Sequence, residues 1–313
     1  MTKPFAIGID IGGTNTSLGL VDRQGKILLQ SRLRTTDYET LEAYIADMEH
    51  EIAKFRKRAG IDNINGIGVG APNGNYYTGE IVDAANLRWK GAIPMAKMMS
   101  AAMGYKVTLT NDANASAMGE MMYGAARGMK DFVVVTLGTG VGSGFVANGQ
   151  VVYGHTGFAG ELGHVIAVQD GRECGCGRRG CMERYCSATG IVHTANEWLE
   201  ERTEESLLRN YSAALTAKNI HEAAMAGDQL AIEIFDYTGM ILGRTLANAV
   251  AITSPQAVIL FGGLAKAGEV LYLPVKKYME ESLLSVFRNT VEILPSALPD
   301  ADAAILGASA LAW

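Results

Sequence analysis

Residues 7–22 read IGIDIGGTNTSLGLVD, and residues 133–148 read VVVTLGTGVGSGFVAN. With Gly12 laid over Gly138, Ser17 falls on Ser143, and apolar runs lie over apolar runs. Both copies continue into a glycine turn, at Gly25 and Gly149, and a further apolar stretch. Apolar runs punctuated by Gly, Asn or Asp read as strands joined by tight turns. Each copy therefore predicts a three-strand meander. Two unrelated glycine hairpins would also look alike at this low identity. The reading adopted is a pair of related α/β domains, each opening on such a meander.

The rest of the chain fits alternating strands and helices. FAIGID opens the first copy as a strand, and KILLQSRLR follows it as another. Residues 40–58 have helical spacing, with Leu41, Tyr44, Ile45, Met48, Ile52 and Phe55 on one face. INGIGVG is the next buried strand, a helix follows around Met95–Met103, and VTLT ends at Asn111-Asp112. Helices dominate later, notably 229–251, before the strand AVILF, a glycine turn, a helix, the strand VEILP and a last helix over 302–313.

Three glycine turns carry chemistry. Asp10-Ile-Gly-Gly-Thr-Asn ends a strand in an acid, and its backbone N–H groups, with the Thr14 and Asn15 side chains, can face phosphate oxygens. Leu137-Gly-Thr-Gly-Val-Gly can do the same from the second copy, and Phe261-Gly-Gly-Leu suits a base or ribose. A glycine hairpin alone is usually just a turn. None of the three matches G-x-x-x-x-G-K-[ST], so the chain is no P-loop protein. Asn111-Asp112 closes a short strand before the helical run ANASAMGEMMYG. A carboxylate there suits a general base for phosphoryl transfer, or the pair is a helix N-cap.

Residues 160–183, GELGHVIAVQDGRECGCGRRGCME, hold His164, Cys174, Cys176 and Cys181. Three thiolates and one imidazole form the ligand set of a closed tetrahedral zinc site. Three of the chain's four cysteines within eight residues argue against unrelated buried thiols. Glu161 and Glu183 frame the cluster, as acceptors for a polyol, as surface charges or as salt-bridge partners.

Composition narrows the class. At 313 residues two domains are expected. Twenty-seven basic against 33 acidic residues give −6 without a basic block, which argues against nucleic acid as a partner. Met1-Thr-Lys-Pro leads directly into a strand, so no leader is expected. The uncharged stretches 132–160 and 245–265 are interrupted by glycine, polar residues or Pro255, and no membrane span is expected. Reduced thiols with only Cys186 to spare fit the cytoplasm.

Together these motifs resemble the ROK family (repressors, open reading frames, sugar kinases), most closely its bacterial glucokinases. The matching residues are Asp10-Ile-Gly-Gly-Thr-Asn, Asn86-Leu87 with Trp89-Lys90, Asn111-Asp112-Ala-Asn, Leu137-Gly-Thr-Gly-Val-Gly, Gly160-Glu-Leu-Gly-His and Cys174-Gly-Cys-Gly-Arg-Arg-Gly-Cys-Met-Glu. Phe261-Gly-Gly-Leu-Ala-Lys-Ala-Gly continues the match. The resemblance implies an actin-like (ribonuclease H-like) ATPase fold of two α/β domains around a cleft. Residues 1–112 would form the small domain, with a C-terminal helix over 302–313 packing back on it, and 113–301 the larger one with the metal loop 160–183. It implies ATP-dependent phosphorylation of glucose at the 6-hydroxyl. Asp112 would be the base, and Asn86, Asn111, Glu161, His164 and Glu183 would hold sugar hydroxyls. Asp10, Gly12, Gly13, Thr14, Asn15, Gly138, Thr139 and Gly140 would surround the ATP phosphates and Mg²⁺. Gly262 and Gly263 would lie near the adenosine. Phe261 stands where the family usually has glycine, and Cys186 has no counterpart role. Alternatives are a kinase for fructose, mannose, allose or an N-acetylated hexosamine, or a non-catalytic sugar sensor. The family's repressors carry an N-terminal DNA-binding region, for which a strand starting at Phe5 leaves no room. The resemblance further implies a homodimer or tetramer.

Overall fold

β1 (Phe5–Ile11), β2 (Asn15–Asp22) and β3 (Ile27–Arg34) form the first meander, each antiparallel to the next. The computed structural model describes residues 5–211, 215–299 and 302–313. The expectation that Met1-Thr-Lys-Pro is no leader therefore falls on residues outside the described ones. α1 (Leu41–Ala59) starts where the Thr40 side chain accepts from the Ala43 N–H at 3.3 Å, and ends at Gly60 in the left-handed region, φ 64°. Its stripe of Tyr44, Ile45, Met48, Ile52 and Phe55 is buried, as the helical spacing predicts. β4 (Ile67–Ala71) follows, then the short hairpin β5 (Ile81–Val82) and β6 (Ala92–Ile93). Next come α2 (Met95–Met103), β7 (Val107–Asn111) and α3 (Asp112–Tyr123).

The second half repeats this plan. It opens with β8 (Phe132–Leu137), β9 (Val141–Ala147) and β10 (Gln150–Val151). α4 (Glu183–Cys186), α5 (Ala188–Glu201), α6 (Ala217–Met225) and α7 (Gln229–Thr253) follow. β11 (Ala257–Phe261), α8 (Glu269–Ser282), β12 (Glu292–Pro295) and α9 (Ala303–Ala310) complete the chain. The first sheet runs β3-β2-β1-β4-β7 and the second β10-β9-β8-β11-β12. In the first, β1, β4 and β7 are parallel; in the second, β8, β11 and β12 are. The repeated stretches thus occupy equivalent strands of two sheets with one topology. The central parallel strands are continuous apolar runs, as strands covered on both faces must be; β4 is buried at every residue.

The chain forms two compact units. The first holds residues 1–129, 144–160 and 296–313, and the second 130–143 and 161–295. In the first, the C-terminal helix α9 lies on β1, β2 and β4 through glycines. A Cβ at Gly8 would collide with the Ile305 carbonyl and one at Gly68 with the Ala308 carbonyl. In the second, α7 and α8 approach closely at Gly243, where a Cβ would stand 2.8 Å from the Met279 nitrogen. No described helix is long and apolar enough to cross a membrane.

The glycine contact at α9 gives a first prediction. Gly68→Val should destabilise the protein by about 3 kcal/mol or more, since backbone cannot yield as a side chain does. Urea unfolding checks it, and an unchanged midpoint would show that α9 does not depend on this contact.

Candidate active site and metal centre

In the first unit, strand register gathers the predicted residues. Asp10 pairs with Gly70 across β1 and β4, and Ala71 pairs with Asn111 across β4 and β7. The carboxyl ends of three parallel strands therefore share one edge, where α/β sheets place their ligands. A Cβ at Gly70 would lie 3.9 Å from Asp10 Oδ1 and 3.7 Å from the Asp112 Cα, so the two acids flank that glycine. Asn111 caps α3, its Oδ1 accepting from the Ala113 N–H at 2.8 Å, and Asp112 Oδ1 accepts from the same N–H at 2.8 Å. The cap reading of this pair is thus met, alongside its exposed carboxylate.

Burial, and then the neighbouring Asp112, push the Asp10 carboxyl up to about 7. Burial also raises Asp112 above the ordinary carboxylate range, against the stabilising N–H of Ala113. Asp112 keeps solvent access while much protein crowds around it, so water reaches the group without fully solvating its charge.

The turn after Asp10 is held by the Gly12 N–H donating to the Asn15 carbonyl at 2.9 Å. Neither Gly12 nor Gly13 has positive φ. Gly13 is needed for closeness instead, because a Cβ there would stand 2.6 Å from the Asn86 carbonyl. Asn86 is exposed on a loop anchored by buried Leu87 and by Trp89, whose ring lies 5.1 Å from that of Tyr44. Lys90 Nζ donates to the Ala84 and Ala85 carbonyls at 3.0 and 3.1 Å, closing the loop. Thr14 is exposed beside the turn, and Asn15 begins β2.

In the second unit, the Gly138 N–H donates to the Gly140 carbonyl at 3.0 Å. The start of α5 fastens this turn: the Ala188 N–H donates to the Gly138 carbonyl at 2.8 Å, and Thr189 Oγ1 to the Thr139 carbonyl at 2.8 Å. Glu183 Oε2 accepts from the Val141 N–H at 2.9 Å, and a Cβ at Gly140 would collide with that carboxylate. Its other oxygen lies 4.0 Å from Cys174 Sγ, so Glu183 bridges the glycine turn and the cysteine cluster. Glu161 is exposed, and its carbonyl accepts from the His164 N–H at 3.0 Å. Gly262 does require glycine, at φ 104° with a virtual Cβ 2.7 Å from the Leu137 carbonyl. Gly263 borders a cavity of about 480 Å³ that Thr216, Lys218 and His221 of the α6 region also line. Sequence reasoning missed this α6 wall, since no spacing links residues 216–221 to a turn at 262.

His164, Cys174, Cys176 and Cys181 bring their ligand atoms within 4.8 Å of one another. Cys176 and Cys181 sulfurs are 3.6 Å apart, and Cys174 Sγ is 3.7 Å from His164 Nδ1. Tetrahedral zinc with bonds of about 2.3 Å to sulfur and about 2.0 Å to nitrogen sets those edges at about 3.8 and about 3.5 Å. The donor set fits zinc in chemistry and in size. Against the burial that opposes charge, hydrogen bonds from the Arg178 backbone and side chain bring the Cys176 thiol down to about 6. Arg178 Nη2 also donates to the His164 carbonyl at 2.9 Å. Cys186 stands outside the cluster, fully buried, with its Sγ 3.6 Å from the Thr238 carbonyl.

The Asp10 shift has a measurable sign. The carboxyl ionises near 3.8 in the unfolded chain and near about 7 in the fold. Its stabilising share is full below the lower value and lost as pH rises through the upper one. Asp10→Asn should therefore gain stability relative to wild type between about pH 4 and about pH 7, on the order of a few kcal/mol at most. Urea midpoints at the two ends of that window check it; a constant difference would remove the shift.

The ROK family model, described as "ROK family", matches residues 6–313. Glucokinase of Halalkalibacterium halodurans is 34% identical over 314 residues, covering 98% of this chain and 94% of its own. Glucokinase of Thermotoga maritima is 34% identical over 315 residues, covering 99% and 98%. Among solved structures, a ROK glucokinase from Streptomyces griseus in complex with glucose and AMPPNP superposes with a TM-score of 0.79 at 30% identity, covering 98% of each chain. The mixed-sheet α/β fold is the two-domain actin-like ATPase fold of such glucokinases, as the sequence motifs imply. From its first strand to its last helix, this chain belongs to the ROK family.

Proposed function

We propose that the protein is an ATP-dependent sugar kinase that phosphorylates glucose at the 6-hydroxyl. The observation that carries this is Asp112, an exposed carboxylate with a raised pKa beside Asp10 at the carboxyl edge of the parallel strands. It stands in a chain 34% identical to curated glucokinases over nearly its full length. A carboxylate more basic than usual is suited to take a hydroxyl proton. In the proposed reaction the 6-oxygen attacks the γ-phosphorus, the bond to the β–γ bridging oxygen breaks, and Asp112 accepts the hydroxyl proton. The products are ADP, hexose 6-phosphate and that proton.

The remaining roles follow the chemistry of each group. Asp10 would hold Mg²⁺ of MgATP, in a position where burial first, and then the neighbouring Asp112, raises its pKa. Gly12, Gly13, Thr14, Asn15, Gly138, Thr139 and Gly140 would surround the phosphates, with Gly262, Gly263 and the α6 wall near the adenosine. Asn86, Asn111, Glu161, His164 and Glu183 would bind sugar hydroxyls. With Nδ1 turned to the thiols, His164 keeps Nε2 on the opposite side of the ring for a hydroxyl. His164, Cys174, Cys176 and Cys181 would hold zinc, which when bound fixes the loop's shape. A homodimer in the cytoplasm completes the proposal.

Three experiments test it. Asp112→Asn should lower kcat about 10²-fold or more while glucose binding and zinc content persist; near-normal turnover would remove Asp112 as base. Cys176→Ser should lower both zinc content and glucose affinity, whereas Cys186→Ser should change neither. A comparison of kcat/KM for glucose, mannose, fructose, allose and N-acetylglucosamine fixes the substrate. Preference for another hexose would overturn glucose but leave the kinase, and no turnover of any would overturn both.

A further inference from the structure

Four ligands on one ion would fix residues 164–181 to one another, but not to the rest of their unit. Arg172, inside that loop, has the geometry to do so. Its Nε donates to Glu197 Oε1 and Oε2 at 2.9 and 3.1 Å, and Nη1 to the Arg184 and Gly190 carbonyls at 2.8 and 3.3 Å. Nη2 donates to Thr194 Oγ1 at 3.0 Å and to Glu197 Oε2. All five guanidinium N–H groups are thereby engaged. The guanidinium carbon also lies 4.4 Å from the centroid of the Tyr185 ring, and the Arg172 backbone N–H donates to the Tyr185 hydroxyl at 2.8 Å. The Arg172 side chain is only 13% exposed, although Glu197 is 49% exposed, whereas in Arg179–Glu173 both partners are solvated, at 55% and 83%.

The partners' positions give the clamp its meaning. Arg184 and Tyr185 directly follow Glu183 on α4, and Gly190, Thr194 and Glu197 line one face of α5. The short α4 cannot satisfy its last carbonyls internally, and Arg172 takes that of Arg184. The glycine turn at 138–140 is fastened to α5 separately, through Ala188 and Thr189. Loss of Arg172 would loosen the loop where it meets α4 and α5, while Glu183 keeps its bond to the Val141 N–H and the turn keeps its own bonds to α5.

We propose that Arg172 is a positioning residue, clamping the metal loop to α4 and α5 and so aiming Glu183 and His164 at a bound hexose. This rests on the sugar-kinase reading above. A lysine cannot reproduce the fork, having three donors on a point charge. R172K and R172A should therefore raise the glucose KM about 10-fold, the scale usual for groups supporting a ligand shell, with the MgATP KM within about 2-fold of wild type and one zinc per chain retained. E197Q, which leaves Arg172 its carbonyl partners, should shift the glucose KM less and in the same direction, and it guards against a poorly folded R172A. KM for both substrates, kcat and metal content are measured together. An active wild type whose R172K and E197Q variants keep the glucose KM, or raise both KM values alike, overturns the clamp alone. A wild type inactive on every hexose overturns the kinase reading and the clamp with it.

Discussion

The in-register parallel pairing of β1, β4 and β7 is the constraint from which the first unit's site follows. Backbone hydrogen bonds fix where each strand stops, and the stopping points decide which side chains meet. Asp10 opposite Gly70, and Ala71 opposite Asn111, leave two acids on one edge with a glycine between them. A slip of one residue would turn one acid to the other face of the sheet. The electrostatics follow from that placement: two carboxyl groups crowded by protein resist ionising together, and the fold tolerates the strain. The helix on the sheet's other side depends on the same regularity, since α9 reaches β1 and β4 only where Gly8 and Gly68 leave the backbone bare.

The second unit uses a different kind of connection. Glu183 joins the glycine turn to the cysteine cluster by a hydrogen bond to Val141 on one side and proximity to Cys174 on the other. The turn, the acid and the cluster are thus one mechanical assembly. Gly140 is part of it by absence, because any side chain there would displace the carboxylate.

Much of this was legible in the sequence where signals are local. Strand and helix periods gave β1, α1, α2 and β11 nearly to the residue. The ligand spacing of the cysteines predicted a cluster that the geometry assembles. What escaped is nonlocal. Nothing in Gly13 announces that it must clear Asn86, over seventy residues away, and its φ would have been guessed wrongly from its type. The α6 wall and the Arg172 contacts depend on helices whose mutual packing no sequence window contains. The tether on Glu183 was invisible too, because its partner is a backbone N–H that every residue type presents.

The identical strand order of the two sheets has a historical consequence. If one meander-plus-crossover unit was copied, each copy inherited the same permissible insertion points, namely its connections between parallel strands. The first copy fills the connection from its meander to the next strand with α1 alone, whereas the second places there the cysteine loop and α4 to α7. Divergence of this kind adds length without disturbing the pairing that holds the glycine turns. Variation among descendants of such a duplication should therefore gather in the connections between parallel strands, leaving the strand ends as the part that cannot drift.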